Sequence, residues 1–150
     1  MRQSQLRKWS RLRNDFPVLF RGVLGKDEMW NEGASWFNEA EVREVVDLIV
    51  DLLTPSTSGD KDRHGSIQPR EISVITPERE QVWRIRLALR ARHLSDVDVG
   101  NVESLQGAEN RVVIISTCRS THPKGLESDR RHGRGLIFEP RRLNGTLQAL

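Results

Sequence analysis

Apolar residues recur along this chain at two spacings, and the spacing sorts the chain into elements. Val42, Val45, Val46, Ile49, Leu52 and Leu53 lie three and four apart, the repeat of a single helix face. Asn38 stands where an N-cap side chain belongs, and Glu41 is placed to reach back to it as in a capping box. Thr54-Pro55 ends that helix. A second helix is predicted from Pro77 to about Arg92, with Val82, Ile85, Ala88 and Leu89 facing inward. Four runs read as strands: Phe16–Val23, closed by Gly22 and Gly25, then Glu71–Thr76, Val97–Val102 and Val112–Ser116. Continuous β-branched runs suit strands covered on both faces. Lys26–Phe37 reads as a polar loop, and Ser56–Arg70 as an aperiodic surface insertion. Thr117–Arg134 is polar and basic, Leu136–Phe138 briefly apolar, and Pro140 can open a last helix.

Strands that alternate with helices predict an α/β domain, with a mostly parallel sheet between helices on both faces. The last helix has no strand after it, so a shortened sheet, its final strand missing, is expected. At 150 residues, 36% hydrophobic, the chain suits one domain with a modest core. The division expected is a basic lead-in over 1–15 and a partial domain over 16–150, with flexible loops at 56–70 and 120–134. The lead-in (Arg2, Arg7, Lys8, Arg11, Arg13) reads as a basic helix or frayed end. An amphipathic targeting segment with Leu6, Trp9 and Leu12 on one side is the alternative.

Charge adds little. The net charge of +3 and pI near 9.6 permit nucleic-acid binding without arguing for it. Arginine outnumbers lysine, which favours bidentate contacts to phosphate or carboxylate, although a solvated surface explains most of these residues. Cys118 is the only cysteine, so no internal disulfide or thiolate zinc cluster can form, and a small buried filler is its expected role. No apolar run approaches the ~20 residues of a membrane span.

Candidate chemistry is sparse. Gly22-Val23-Leu24-Gly25-Lys26-Asp27 imitates a phosphate loop, but its glycines are too close together and Asp27 replaces the hydroxyl that would hold magnesium. There is no G-x-G-x-x-G, nucleophile elbow or H-E-x-x-H, and His64, His93, His122 and His132 are scattered. No metal site is expected. What remains is a series of loops after strands: Pro77-Glu78-Arg79-Glu80-Gln81, Gln106-Gly107-Ala108-Glu109, and Arg141-Arg142-Leu143-Asn144 near the end. Open α/β sheets place ligand contacts on such loops. An arginine there could meet a terminal phosphate, and a carboxylate could accept from ribose hydroxyls.

In order, these segments resemble the second RecA-like domain of superfamily 1 helicases, in the branch of the nonsense-mediated-decay helicase and the Armitage-type RNA helicases. Residues 15–27 resemble D-F-P-I-I-F-H-G-V-x-G-K-D, and 35–41 resemble S-x-F-N-x-x-E. Ile72–Gln81 resembles motif IV, Val99–Ser120 motif V, and Gly135–Asn144 the lead-in to motif VI. The resemblance implies a RecA-like, P-loop NTPase-type fold. It implies that Gln81, Gln106, Gly107, Glu109 and Arg142 line the nucleotide cleft, with Glu109 at the ribose, and that Arg79 reaches the γ-phosphate. Asn101, Ser116, Thr117, Arg119 and Ser120 would face the nucleic acid.

Departures from the family accompany this. Glu78 replaces Tyr, Asn101 replaces Ser or Thr, and Leu105 replaces Phe. Gly145-Thr146-Leu147-Gln148-Ala149 replaces the tail whose arginine finger would fall on Ala149. Such a finger contributes on the order of 10³–10⁵ in rate. The expectation is therefore the C-terminal half of an ATP-dependent RNA helicase, a helicase and ATP hydrolase by resemblance but without ATPase activity as an isolated chain and without a complete catalytic set. ATP and Mg²⁺ would be held only together with a first RecA-like domain. Single-stranded RNA and a first RecA-like domain or helicase partner are the expected partners, in the cytoplasm, with ribonucleoprotein granules and RNA silencing as the expected setting. A non-catalytic module that binds RNA or a helicase is the alternative. An unrelated α/β domain, or a truncated product that barely folds, is the bland one.

Overall fold

A computed structural model describes residues 18–31, 35–54, 67–101, 103–105 and 110–119. Its centre is a three-stranded parallel sheet. Strand β3 (Ile72–Ile75) is flanked by β4 (Asp98–Gly100) and β5 (Val112–Ile115), in the order β4-β3-β5. Val74 lies opposite Val99 on one side and opposite Ile114 on the other. The ladders run one step past β3: Thr76 donates to the Gly100 carbonyl at 3.0 Å and Ser116 to the Ile75 carbonyl at 2.9 Å. All four β3 residues are buried, which is why its sequence (I-S-V-I) shows no polar alternation.

Two helices cover one face of this sheet. Helix α1 (Glu39–Leu53) turns Val42, Val45, Val46 and Ile49 inward, the i, i+3, i+4, i+7 set of its periodic pattern. Helix α2 (Arg79–Arg90) contributes Ile85 and Leu89. These side chains form one cluster with Ile72, Val74, Val97, Val99 and Ile114. Each fully buried aliphatic side chain contributes about 1.5–3 kcal/mol relative to exposure. Ser73 and Ile75 occupy the other face of β3 and are also buried. The mixed α/β architecture with a parallel sheet is that of a RecA-like domain. The final strand, and any helix on the second face, concern residues beyond those described.

Two local expectations are corrected. Residues 26–37 are not simply a loop. Strands β1 (Glu28–Trp30) and β2 (Ser35–Phe37) form an antiparallel pair, with Met29 opposite Trp36, and Asn31 at φ 43° begins the turn. Conversely, residues 18–23 of the apolar run 16–23 form no strand. Phe20 and Leu24 are fully exposed, and Arg21 makes an ion pair with Glu44 of α1. No described strand lies beside this run to complete a ladder, and apolar content alone cannot create one.

Strand β4 is an edge among the described strands. The Arg86 guanidinium of α2 donates to the Val99 carbonyl from both Nε (3.0 Å) and Nη2 (2.6 Å). A backbone acceptor that faces away from β3 is thereby covered. At the other end of the sheet, Glu71 accepts from the Gln68 backbone at 2.7 Å and pairs with Arg111 at 3.3 Å. The Gln68 hydrogen bond, then Arg111, holds the Glu71 carboxyl below its ordinary range. No helix among the described residues is long and apolar enough to cross a membrane.

Candidate functional site

The chain leaves β3 for β4 on one side and returns to β5 on the other. The order thus reverses beside β3, and the carboxyl ends of β3 and β5 are where such sheets take ligands. Here that crevice is filled from within, by the first turn of α1 and the first turn of α2.

Asn38 caps α1: its Oδ1 accepts from the backbone of Ala40 (3.1 Å) and Glu41 (3.2 Å). The reciprocal half of the predicted capping box is made differently. The Asn38 backbone N–H donates to Gln81 Oε1 at 2.8 Å, so Gln81, not Glu41, satisfies it. Gln81 Nε2 donates to the Asn38 carbonyl at 3.4 Å and to Ser116 Oγ at 3.1 Å. Gln81 and Asn38 both have 0% exposure. The amide predicted to meet a nucleotide is therefore turned inward and joins α1, α2 and the end of β5.

Glu41, released from capping, reaches the segment after β5. Its Oε2 accepts from Ser116 Oγ at 2.6 Å and from the Cys118 backbone N–H at 2.9 Å. Its Oε1 accepts from Thr117 Oγ1 at 3.5 Å. Cys118 has φ 64°, a left-handed conformation that costs a non-glycine residue about 1–2 kcal/mol. A hydrogen bond to a charged acceptor contributes about 1.5–3 kcal/mol, enough to hold it there. The Cys118 thiol is fully buried, as expected of a filler. Burial, then the charges of Glu78, Glu41 and Asp27, pushes its pKa far up, so the thiolate is suppressed.

Arg119 closes the segment. Its Nε lies 2.9 Å from Asp27 Oδ2, and its guanidinium stacks 3.9 Å from the centre of the Trp36 ring. The two side chains are only 11% and 7% exposed. Arg119 is thus an anchor between the G-K-D segment and the hairpin, with little of its guanidinium exposed to solvent. Gly25, two residues earlier, passes so close to α1 that a Cβ there would lie 2.5 Å from Asn38 Oδ1 and 2.6 Å from Ala40 Cβ.

The start of α2 is tied to the hairpin in the same way. Glu78, which departs from the family tyrosine, accepts from Ser35 Oγ (3.1 Å) and the Trp36 backbone (3.0 Å). Ser35 Oγ in turn accepts from the Glu80 backbone at 3.1 Å, supplying the cap that Glu78 does not. Arg84 lies over Phe37, 3.6 Å from the ring centre, and pairs with Glu39 and Glu80.

Arg79 begins α2 and is exposed at this carboxyl edge. Asn101 follows β4, where its Oδ1 accepts from the Ser104 backbone at 2.8 Å and its carbonyl from Ser104 Oγ at 3.0 Å. That turn packs over Gly100, where a Cβ would lie 2.2 Å from Ser104 Oγ. Gln106, Gly107, Glu109, Ser120 and Arg142 lie outside the described residues. Among those described, no group of three or more His, Cys, Asp or Glu could hold a metal ion. Sequence reasoning missed the roles of Asp27, Ser35 and Glu41. Their only signal was membership of the D-F-P…G-K-D and S-x-F-N-x-x-E segments.

The AAA domain family matches residues 1–148. The chain belongs to that family, as a C-terminal RecA-like domain of superfamily 1 helicases in the Armitage-type branch. Within the branch it is 39% identical over 150 residues to "Putative helicase MOV-10" of Gallus gallus, covering 93% of this chain and 15% of that protein. It is 39% identical over 137 residues to RNA helicase Mov10l1 of Homo sapiens, covering 91% and 11%. It is 32% identical over 127 residues to "Probable RNA helicase armi" of Drosophila melanogaster, covering 85% and 10%. The chain thus spans 10–15% of the length of these three relatives.

Proposed function

We propose that this chain is the second lobe of an ATP-dependent RNA helicase, and that its carboxyl-edge loops complete a nucleotide cleft and an RNA path that one lobe alone cannot form. The observation that carries the reading is the convergence on one sheet edge of four segments far apart in sequence. They are the G-K-D loop through Asp27, the N-x-x-E turn through Asn38 and Glu41, motif IV through Gln81, and the end of motif V through Ser116 to Arg119. Relatives named as RNA helicases support the RNA substrate.

In this reading Arg79, exposed where α2 leaves the edge, meets the terminal phosphate of a nucleotide held mainly by a first lobe. Gln106, Gly107, Glu109 and Arg142 are proposed for the base, ribose and phosphate side of the cleft. Gln81 acts behind them through its tie to Ser116. Asn101, Thr117 and Ser120 face RNA, and Arg119 fixes their frame. ATP and Mg²⁺ belong to the assembled two-lobed cleft. A cytoplasmic setting goes with this reading.

The test pairs two measurements on the chain. Alone, it should bind single-stranded RNA with an affinity that falls as salt rises, because phosphate contacts release counterions, and should hydrolyse no ATP. Joined to the phosphate-loop lobe of a relative, it should bind nucleotide, and Arg79→Ala should weaken that binding. Salt-independent RNA binding, or RNA-stimulated ATP turnover that scales with the isolated chain, would overturn the reading.

A further inference from the structure

We propose that Glu41 is a positioning residue for RNA binding: from the first turn of α1 it fixes the 116–118 turn in the one conformation that sets the segment after β5 against RNA. The proposal rests on the RNA reading above and assigns it a residue outside motifs IV to VI.

Glu41 is 7% exposed, yet nothing in its own helix requires a carboxylate there, since Gln81 has taken over the Asn38 N–H. Its two oxygens instead receive three donors from consecutive residues, the hydroxyls of Ser116 and Thr117 and the backbone of Cys118. A left-handed cysteine persists only where its surroundings over-determine it. Here Glu41 holds one side of the turn, and the Asp27–Arg119 pair stacked on Trp36 holds the other. Thr117 lies between these anchors and is partly exposed. Pinning both ends of a short polar turn removes the ordering cost from a later binding event, which is what a loop that meets RNA needs. A carboxylate repels the phosphate backbone, so its contribution is to the shape of the turn.

The experiment compares Glu41→Gln and Glu41→Ala with the unaltered chain, by fluorescence anisotropy on a single-stranded RNA at several salt concentrations. Ile49→Val, which loosens the α1 core away from the turn, is the control for lost stability. Binding is read at a temperature where urea melts show every variant folded. Glu41→Ala should weaken RNA binding by about tenfold and leave the slope of log affinity against log salt unchanged, because no cationic phosphate contact is removed. Glu41→Gln keeps an accepting oxygen for Cys118 and should fall between. Amide hydrogen exchange at Cys118 should quicken in Glu41→Ala and not in Ile49→Val. Equal affinities for Glu41→Ala and the unaltered chain would overturn the positioning role alone. An unaltered chain that binds no RNA would overturn the RNA reading and this proposal with it. An equal loss in Ile49→Val would reduce Glu41 to a stability residue and overturn the proposal too.

Discussion

Gln81→Met is the substitution that most directly separates a structural amide from a ligand-facing one. Methionine matches glutamine in length and shape, so it empties little space but removes both amide atoms. The Asn38 N–H, 2.8 Å from Gln81 Oε1 in a residue with 0% exposure, then loses its partner where water cannot replace it. A stranded buried donor costs about 1–3 kcal/mol, and loss of the 3.1 Å bond to Ser116 Oγ costs about 1 kcal/mol more. The 3.4 Å contact to the Asn38 carbonyl adds little, because Val42 also donates to that oxygen at 3.0 Å. The expected loss is about 2–4 kcal/mol. At about 2–4 °C per kcal/mol for this size, the melting temperature should fall by about 5–15 °C. Urea melts followed by circular dichroism measure it, and an unchanged m-value shows that the same surface unfolds. A double-mutant cycle with Ser116→Ala should return a coupling of about 0.5–3 kcal/mol. A loss below about 0.5 kcal/mol, or a Gln81→Met chain that melts normally while its joined two-lobe form loses nucleotide, would refute the argument.

Two further outcomes are expected. Gly25→Ala should cost about 1–3 kcal/mol in urea melts, because its Cβ would enter the space of Asn38 Oδ1 and Ala40 Cβ and displace the α1 cap. Cys118 should resist iodoacetamide at pH 8 and react quickly in urea, because its thiol is buried and its pKa raised. The same shift means that stability is unaffected below the thiol's ordinary pKa and declines as pH rises above it, where only the unfolded chain ionises. Fast labelling of the folded chain would contradict both statements.

Much of this was legible in the sequence, for identifiable reasons. Helix α1 is two helical repeats of valine, isoleucine and leucine behind a capping asparagine, and strands β3 and β5 are short β-branched runs, while β4 has only Val99 between Asp98 and Gly100. Those signals are local. What the sequence did not show lies where a local rule met a distant partner. Glu41 has capping-box spacing, but its partners lie 75 to 77 residues away at Ser116, Thr117 and Cys118. Gln81 was singled out by motif, yet its inward aim depends on where α1 starts, 43 residues earlier. The β1–β2 hairpin escaped notice because its strands have three residues each and β1 is exposed throughout. The 16–23 run misled in the opposite sense, since apolar content cannot supply a neighbouring strand.

The Gln81 side chain does for Asn38 what an adjacent peptide group would do: it offers one carbonyl and one N–H to the residue's own N–H and carbonyl. It is a one-rung imitation of a β-bridge, built from a helix. Asn38 caps α1 from its own sequence, but its own N–H is satisfied only when α2 docks. Nascent α1 should fray at Asn38 until the two helices meet, which makes that first turn a natural reporter of when the domain closes its core.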